Sequence, residues 1–450
     1  MSKRIFDVTV IGAGAIGSST ALSLSRQGFR VCVVDGKGGP GDGSTGSSSG
    51  ICRSSYSSID SVRFSWEGYH YWKHWDEFIG EKDPNGFAQL RECGASFLIT
   101  PNSKQFLETS VSCMRQAGVP VQEWDIETAS ETLSRLGWDL SVSYTPLRID
   151  HPEFGVPVKG ASVSGAIYCP QMGYVSDPRL ATQNMARAAI SRGCEFIFGR
   201  LVTEICQSNG RVCGVIMDDG TRVISPIVLN AAGPYSSRVN ELVFNPESGV
   251  MNDMKVTTRP MRQEVAYCSP PSGVDMENDG LITADLDVGV YWRPEVGNKI
   301  LIGGIEPECD PVEWIDGDID TELNPNLTDN WTNYIYRAAL RMPGLQIPTA
   351  KCTQGIVSLY DVTPDWVPIY DKSSLAGYYL AIGTSGNQFK NAGVVGELMG
   401  KLIEECENGR DQDTDPVQFE MKHSNPGQFV DSGKFSRLRN ITSTSGSVLA

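Results

Sequence analysis

The chain has 450 residues, more than one hydrophobic core usually serves, which predicts two cooperating domains. Hydrophobic residues make up 40% of it and charges are scattered, a composition typical of a globular protein and not of a disordered one. With 54 acidic against 38 basic residues the net charge is −16. Such a surface repels phosphate backbones and anionic lipids, so we expect neither nucleic acid nor a membrane as a partner.

The cysteines indicate a reducing compartment. Twelve are spread from Cys32 to Cys406 without a CxxC pair, which matches neither zinc-ligand spacing nor a disulfide scaffold. The first residues run straight into a strand without the apolar region of a signal peptide, and no apolar run has the length of a membrane span. Together these features predict a cytoplasmic protein.

The first fifty residues predict a βαβ unit. Residues 6–11 (FDVTVI) and 29–35 (FRVCVVD) are apolar runs of strand length, and 15–27 reads as a helix between them. Two buried strands joined by a helix indicate a parallel sheet. Residues 36–50 are almost all glycine and serine; after such a unit we favour a backbone that approaches phosphates over a disordered linker.

Residues 62–79 predict one aromatic-rich helix. Its His70 and His74 have an i, i+4 spacing that metal ligands also use, but no third ligand lies nearby in the sequence. We therefore favour a packed or surface helix over a metal site.

The middle of the chain predicts a return to the first sheet. A helix over 178–193 is followed by strands with turns at Asn209-Gly210 and Asp219-Gly220, and then by the buried strand IVLN at 227–230. Further along, 285–304 predicts a hairpin that turns near Gly297-Asn298.

The last third of the chain predicts a loop, a strand, a helix and a polar tail. Residues 306–330 are acidic and rich in proline and asparagine, which favours a surface loop. Residues 377–405 read as a strand, a glycine turn and a long helix, and the polar residues after them are expected to wrap the surface.

The motif Gly12-x-Gly14-x-x-Gly17 lies directly between the first strand and its helix. Gly12 permits a tight turn, Gly14 lets the backbone reach a pyrophosphate, and Gly17 lets helix and strand pack closely. The pyrophosphate then meets the free N–H groups and positive end of the helix. Asp35, which ends the second strand, is placed to bind ribose hydroxyls. This context predicts a dinucleotide site, although the motif does not separate NAD from FAD.

Six ordered motifs resemble the D-amino-acid oxidase family of flavoenzymes, in the branch with sarcosine oxidase, dimethylglycine dehydrogenase and glycine oxidase. They are GAGAIGSSTALSLSRQG at 12–28, GSSSGICR at 46–53, GYVSDPRLATQNMARAAISRG at 173–193, VLNAAGPYSSRV at 228–239, GVYWRPEVGNKILIGG at 289–304, and VTPDWVPI with GTSGNQFKNAGVVGEL near the end.

The resemblance implies an α/β fold with a Rossmann-type (GR2-like) FAD-binding domain assembled from separated segments. An α+β substrate domain built on a mostly antiparallel sheet would roof the flavin. The segments 1–92, 172–243 and 350–450 would bind FAD, and 93–171 and 244–349 would form the substrate-binding domain.

The resemblance also implies how FAD is held. The turn through Ala232 and Gly233 would pass the adenosine, and Val202 would offer backbone contacts to adenine. Residues 383–388 would begin a helix whose N-terminus faces the flavin N1–C2 carbonyl, where N–H donors stabilise negative charge after hydride arrival. With the glycine motif, the assigned FAD-binding residues are Gly12, Gly14, Ala15, Ile16, Gly17, Asp35, Gly36, Ser44, Ser48, Ser49, Gly50, Arg53, Val202, Ala232, Gly233, Gly383, Ser385, Gly386, Asn387, Gln388, Phe389 and Lys390.

Five residues are candidates for catalysis or substrate binding by the same resemblance. Lys390 matches the lysine that grips a substrate carboxylate, and Arg53 matches an arginine against the flavin ring. Tyr291 matches a tyrosine above the flavin. Arg293 shares the strand face of Tyr291, where it either binds substrate or forms a structural ion pair. Tyr56 stands where a second carboxylate-binding arginine is expected.

Several positions depart from the family pattern. Ser358 replaces the cysteine that links flavin in sarcosine oxidase, Cys352 lies six residues too early, and no histidine occurs in residues 1–69. We therefore expect non-covalent FAD. Ser49 also replaces a histidine near the flavin ring.

Two further departures concern oxygen and access to the site. Leu301 replaces the lysine that activates oxygen, while Lys299 lies two positions away on the same strand face. Electrons would pass to oxygen or to an acceptor partner, and we lean towards the acceptor. Residues 139–168 are longer than the family pattern, so that this loop is a candidate cover for the active site.

Three functions follow from these observations. The leading hypothesis is oxidation of a small amine or amino acid, N-substituted or cyclic, to an imine by hydride transfer to flavin N5. The second is a 2-hydroxyacid or polyol-phosphate dehydrogenase, whose base would be His151 or His423. The third is a non-catalytic FAD-binding assembly protein, against which Arg53, Tyr291 and Lys390 argue.

Overall fold

A computed structural model describes residues 4–245, 247, 249–349 and 351–449. The expected FAD-binding segments 1–92 and 350–450 thus begin or end on residues outside this description. The strands are β1 (Arg4–Ile5), β2 (Val8–Ile11), β3 (Val31–Asp35), β4 (Ile51–Cys52), β5 (Leu90–Arg91), β6 (Ala95–Ile99), β7 (Gln122–Asp125), β8 (Gly165–Cys169), β9 (Gly173–Val175), β10 (Glu195–Phe198), β11 (Val202–Ser208), β12 (Arg211–Met217), β13 (Arg222–Ile224), β14 (Ile227–Asn230), β15 (Arg259–Cys268), β16 (Ile282–Asp285), β17 (Val290–Glu295), β18 (Lys299–Gly304), β19 (Glu313–Trp314), β20 (Gln354–Val362), β21 (Ile369–Lys372), β22 (Tyr378–Ile382), β23 (Gln418–Glu420) and β24 (Phe429–Asp431).

The α-helices lie between these strands and cover the two main sheets. They are α1 (Ala15–Arg26), α2 (Ile59–Lys73), α3 (Trp75–Ile79), α4 (Lys104–Gln116), α5 (Ile126–Leu133), α6 (Pro178–Ser191), α7 (Ser236–Glu241), α8 (Met276–Asp279), α9 (Ile319–Glu322), α10 (Asp329–Arg341) and α11 (Ala392–Glu407). Within the residues described, no helix is long and apolar enough to cross a membrane.

The first main sheet has the order β10-β3-β2-β14-β22-β21 and is parallel except for β21. Alternate side chains of its strands point to opposite faces. Val10 and Val33 pack in one core with helices α1, α6 and α11, whereas Ile11 and Val34 pack in another with strands β11 to β13. This arrangement confirms the predicted Rossmann-type sheet.

The second main sheet has nine strands and is antiparallel except where β6 pairs with β16. Its central hairpin, β17 and β18, turns at Gly297 and Asn298, which have φ angles of 80° and 52°. Neighbouring residues alternate between faces: Trp292 packs in the core beside α10, and Tyr291 packs on the opposite face. The predicted mostly antiparallel substrate sheet is therefore confirmed.

Strand β20 joins the two parts of the molecule. It lies in the segment 350–450 that was expected to bind FAD, yet it pairs with β15 of the second sheet from Gln354 to Val362. The chain then enters the first sheet at β21. The domain boundaries stay a prediction, but this strand belongs by its hydrogen bonds to the second sheet.

Two predicted helices differ from the structure. The helix over 62–79 is broken at His74, whose φ of −119° and ψ of 44° are not helical, so that α2 and α3 are separate. Residues 383–388 form a turn, because Gly383, Ser385 and Gly386 have φ angles of 68°, 46° and 67°. A right-handed helix excludes such angles, and α11 begins only at Ala392.

The long segment 139–168 is a candidate cover for the active site, and that role stays a prediction. Its residues bind α10 and its surroundings: Arg337 donates to the Leu147 carbonyl, and Asn333 accepts from the Ile149 N–H at 2.8 Å. These contacts hold the segment on the face of the second sheet that carries α10.

The helix α2 packs as expected. The His70 ring lies against Trp66, with 4.7 Å between ring centroids. Across the residues that the structure describes, no group of three or more histidine, cysteine, aspartate or glutamate side chains is arranged to hold a metal ion.

Candidate active site

The glycine motif forms the turn between β2 and α1. A Cβ at Gly12 would lie 2.3 Å from the Ala231 carbonyl oxygen, and one at Gly17 would lie 1.9 Å from the Gly12 oxygen. Gly14 differs, because a Cβ there would meet only the Thr45 hydroxyl, at 3.1 Å. Gly12 and Gly17 are thus required by packing of the chain itself, whereas Gly14 leaves open space in front of the helix.

Asp35 orders this turn from the end of β3. Its two carboxylate oxygens accept from the backbone N–H groups of Ala13 at 2.6 Å and Lys37 at 2.7 Å. The expected contact of Asp35 with ribose stays a prediction.

A cleft runs from the N-terminus of α1 to the second sheet. It brings together Ala15 and Ile16 of α1, Ser44, Ser48 and Ser49 of the glycine–serine segment, Tyr291 of β17, and Gly386, Gln388 and Phe389. Gly14, the N-cap residue of α1, has no side chain to cap the helix. At the helix N-terminus the Ala15 N–H donates to the Thr45 hydroxyl at 3.2 Å, and both residues line the cleft. A cleft that begins at a helix N-terminus fits the pyrophosphate of FAD.

Other residues predicted to bind the cofactor contact the segments that line this cleft or their neighbours. A Cβ at Gly233 would lie 3.8 Å from the Ser44 hydroxyl, which places the turn of Ala232 and Gly233 beside the glycine–serine segment. Gly36 lies against Leu201, the residue before Val202. Gly50 pairs with Val175 through its backbone carbonyl, at 2.8 Å. The structure thus gathers these residues, and their contacts to FAD stay predictions.

The turn at 383–388 is held by Asp361 at the end of β20. The Asp361 carboxylate accepts from the Gly383 N–H at 2.6 Å, and its backbone carbonyl accepts from the Ser385 N–H at 2.8 Å. Burial raises the pKa of Asp361 to about 7. This residue, which sequence reasoning did not select, therefore positions part of the expected flavin-binding turn.

Three predicted residues form one buried cluster. The Lys390 ammonium donates to the Tyr56 hydroxyl at 2.9 Å and to the Asn387 carbonyl at 2.6 Å. The Arg53 guanidinium lies over the Tyr56 ring, 4.2 Å from its centroid, and donates to the carbonyls of Ser55 and Val448. Tyr56 thus lies between two cations, as expected if all three residues line one anion site.

The electrostatics of the cluster follow from this arrangement. Burial lowers the pKa of both Lys390 and Arg53, because the charged forms lose hydration. Burial alone would raise the pKa of Tyr56, but the charges of Lys390 and Arg53 outweigh it and leave that pKa below its usual value. In the described part of the chain, no carboxylate forms an ion pair with either cation.

Tyr291 and Arg293 have different environments. The Tyr291 ring covers Gly303 on the paired strand, where a Cβ would lie 2.5 Å from the ring, and it lines the cleft. Arg293 forms a salt bridge to Glu295 at 2.9 Å and donates to the Ser49 carbonyl at 2.6 Å. The structure thus favours the structural ion pair for Arg293 over substrate binding.

The positions that depart from the family pattern lie as follows. Ser358 lines the cleft, and Cys352 is exposed. Leu301 is buried with 1% exposure, and the Lys299 ammonium donates to Gln354 at 2.5 Å.

Besides Asp361, sequence reasoning missed Tyr360 and Glu306. Tyr360 lines the cleft and packs on Gly386, where a Cβ would lie 2.4 Å from the ring. Because Tyr360 follows Ser358 by two residues on one strand, strand alternation offered a signal for it. Glu306 accepts from Gln263, a cleft residue, at 3.2 Å, and burial raises its pKa to about 8. No motif marked Glu306.

Comparison with known proteins supports this geometry. Residues 7–402 match the profile of the DAO family, described as FAD-dependent oxidoreductase. N-methyl-L-tryptophan oxidase of Yersinia pestis (strain Pestoides F) is 27% identical over 402 residues, which cover 87% of this chain and 93% of that protein.

Solved structures show the same fold. L-proline dehydrogenase from P. horikoshii has a TM-score of 0.71 at 22% identity, over 90% of this chain and 95% of that one. Glycine oxidase from Geobacillus kaustophilus has a TM-score of 0.69 at 20% identity, over 92% and 98%. With its glycine turn, elongated cleft and matching profile, this chain belongs to the family of FAD-dependent oxidoreductases, and its cofactor is FAD.

Proposed function

We propose that this protein oxidises the C–N bond of a small amine or amino acid to an imine. The observation that carries the proposal is the cluster of Arg53, Tyr56 and Lys390, which holds two buried cations without a carboxylate partner in the described chain and adjoins the cleft residue Phe389 in the sequence. Buried cations of this kind favour an anionic ligand group, and a substrate carboxylate supplies one. The names of the relatives, an N-methyl amino acid oxidase, a proline dehydrogenase and a glycine oxidase, agree with that substrate class.

The residues of the site have separate tasks. The cleft residues would hold FAD, which when bound would supply the acceptor for the hydride that the substrate carbon loses. Arg53 and Lys390 bind the carboxylate and, as cations, favour the neutral amine, which is the form that loses hydride. Tyr291 and Tyr360 form an aromatic wall of the cleft and exclude water from it.

The structure does not support the two alternative functions, a 2-hydroxyacid or polyol-phosphate dehydrogenase and a non-catalytic FAD-binding assembly protein. His151 is exposed and accepts from the Glu153 N–H at 3.2 Å, and the exposed His423 packs its ring against Tyr71 at 4.9 Å. Neither lines the cleft, as the base of a hydroxyacid dehydrogenase would. A non-catalytic protein has no evident need for two buried cations that lack a carboxylate partner in the described chain.

The test is anaerobic reduction of the bound flavin. Purified holoprotein is mixed with N-methyl amino acids and cyclic amino acids, and with 2-hydroxyacids and polyol phosphates as comparison, while the flavin absorbance is followed. Bleaching by an amine supports the proposal. Bleaching by a hydroxyacid alone favours the second hypothesis, and an unchanged spectrum with every compound favours the third.

We also propose a cytoplasmic location and an electron acceptor that is either oxygen or a partner. All twelve cysteines are unpaired, which agrees with a reducing compartment. Fractionation of cells with an antibody to the protein tests the location.

A further inference from the structure

Residues 445–449 enter the candidate active site. The chain before them is fixed outside the site, since the Thr444 hydroxyl donates to the Asp365 carbonyl at 3.0 Å and Arg439 forms a salt bridge to Asp365 at 2.8 Å. Ser445, Ser447 and Leu449 then bond only among themselves in the described chain.

Val448 is the residue that ties this segment to the site. Its N–H donates to the Glu306 carboxylate at 2.9 Å, and its carbonyl accepts from the Arg53 guanidinium. The N–H and the carbonyl of this one residue are thus bound by a carboxyl group and by a guanidinium, respectively.

The apolar contacts place the segment beside the cleft. Leu449, with 5% exposure, belongs to the apolar cluster of Tyr56 and Tyr291. Val448 packs against this cluster and also against that of Trp366.

The backbone and side chain of Glu306 are both fixed in the position from which it binds the Val448 N–H. Its φ of 53° lies in the left-handed region, which a non-glycine residue occupies only where its surroundings fix it and which is common at binding sites. Gln263, which lines the cleft, donates to the second carboxylate oxygen of Glu306.

The bound atoms of Val448 have the connectivity of an α-amino acid. Its N, Cα, carbonyl carbon and oxygen repeat the order of amine nitrogen, Cα and carboxylate, and its nitrogen carries one hydrogen and one carbon substituent, as a secondary amine does. Resting on the proposed function, we propose that Arg53 and Glu306 form a subsite for an α-amino acid, which Val448 occupies until substrate displaces residues 445–449.

The proposal assigns a new role to Glu306. Arg53 binds the carboxylate of the substrate, while Glu306 accepts a hydrogen bond from its amine. A carboxylic acid without an amine can bind Arg53 but cannot donate a hydrogen bond to Glu306. The site is therefore expected to bind amino acids more tightly than such acids. Because the segment is tethered, its effective concentration at the site is in the millimolar range, and weak contacts suffice to compete with substrate.

The first experiment removes the competitor. Holoprotein that ends after Thr444 is compared with the full chain by titration with 2-aminoisobutyrate, which lacks the α-hydrogen that oxidation requires, and the perturbed flavin spectrum gives the Kd. We expect the shortened protein to bind it at least tenfold more tightly. If the shortened protein fails to fold, Val448→Pro in the full chain, which lacks the N–H bound by Glu306, is tested in the same way.

The second experiment tests Glu306 in the shortened protein. Pivalate has the shape of 2-aminoisobutyrate with a methyl group in place of the amine. Glu306→Met, which removes the acceptor, should weaken 2-aminoisobutyrate at least tenfold and leave pivalate nearly unchanged, while the exposed Glu308→Met should alter neither. The amidated peptide TSGSVL should compete with 2-aminoisobutyrate at millimolar concentration, and the same peptide carrying Val448→Pro should not.

The outcomes separate this inference from the proposed function. Equal or weaker binding by the shortened protein makes residues 445–449 a structural wall and overturns the inference, while the proposed function stands. An equal loss of both ligands in Glu306→Met, or no loss of 2-aminoisobutyrate, overturns the role of Glu306. A flavin that responds to neither ligand, and to no amine, in either form of the protein overturns the proposed function as well.

Discussion

Tyr56 lies at the centre of the cation cluster, with the Lys390 ammonium at its hydroxyl and the Arg53 guanidinium over its ring. Burying two cations costs solvation energy that hydrogen bonds to neutral oxygens only partly offset. A bound anion removes much of that cost. The cluster is therefore expected to bind carboxylates more strongly than either cation would at the surface.

Replacement of one cation measures this effect. Lys390→Met should raise the KM for an amino-acid substrate by about tenfold to a hundredfold and leave FAD in place, because a charge-assisted bond contributes roughly 1.5–3 kcal/mol. Steady-state kinetics with a carboxylate-bearing amine checks the prediction. Lys401→Met, at a partly exposed position of α11, is the matched control. An unchanged KM would show that the substrate lacks a carboxylate at this position.

The raised pKa of the buried Asp361 predicts how the free energy of unfolding depends on pH. Since burial raises its pKa from 3.8 to about 7, the native state holds this proton more tightly than the unfolded chain does. The free energy of unfolding should therefore fall as the pH rises from about 4 to 7, by on the order of 4 kcal/mol at most. Asp361→Asn should remove this loss, because its amide oxygen still accepts from Gly383.

Urea unfolding of the holoprotein at pH 5 and pH 8 tests this prediction. The difference between the two pH values should be smaller in Asp361→Asn than in the wild type, whereas the exposed Asp279→Asn should keep the wild-type difference. Equal differences in all three proteins would contradict the assigned pKa.

At the scale of elements, local sequence patterns predicted β2, α1 and β3 to within a few residues. Each of these elements is specified by a periodicity and a glycine turn within the same thirty residues. The sequence predicted a helix that starts within 383–388, where the structure has a turn. A serine gives no indication in the sequence that it will adopt a positive φ angle, as Ser385 does. The pairing of β20 with β15 and the entry of Val448 into the site join residues far apart in the chain, and no local pattern encodes either.

The glycine turn offers a test of cofactor binding separate from folding. A side chain at Gly14 meets only Thr45 within the protein, but it would point into the space expected for the pyrophosphate. Gly14→Val should hence give a folded protein with little or no FAD, whereas Gly17→Ala should destabilise the fold. Circular dichroism and the flavin absorbance of the purified variants distinguish the two results. A fully loaded Gly14→Val protein would refute the placement of the pyrophosphate.

Residues in and before strand β20 predict that the flavin is bound without a covalent link. Its Ser358 lines the cleft where sarcosine oxidase has the linking cysteine, and Cys352 is exposed before the strand begins. A serine hydroxyl is a much weaker nucleophile than a thiolate. Acid precipitation should therefore release yellow flavin into the supernatant, and a yellow pellet would reject non-covalent binding.

At the scale of the whole molecule, the cleft lies between two sheets that β20 and the following β21 connect directly. The glycine turn of the first sheet supplies the expected phosphate site, and the hairpin of the second supplies Tyr291. Against a net charge of −16, the buried Arg53 and Lys390 form a local positive region. An anionic group is thus stabilised inside the molecule although its surface is acidic.

The choice of electron acceptor depends on this same distribution of charge. Reduction of oxygen by one electron creates superoxide, and a cation close to the flavin lowers the barrier to that step. In sarcosine oxidase a lysine has this role, whereas here the matching Leu301 is buried among apolar side chains. Lys299 is two residues away, and its ammonium is bound to Gln354. We therefore expect slow reoxidation by oxygen and faster transfer to a dye, a quinone or an electron-transfer protein.

Stopped-flow mixing of reduced enzyme with air-saturated buffer measures the reoxidation rate directly. The rate should lie well below substrate turnover measured with an artificial acceptor. Lys299→Met should leave it unchanged, because the Lys299 ammonium is bound to Gln354. Arg53 is a buried cation of the proposed substrate site, so the residual rate should fall in Arg53→Met. Reoxidation that keeps pace with turnover would establish an oxidase, and a large fall in Lys299→Met would then show that Lys299 replaces the missing lysine.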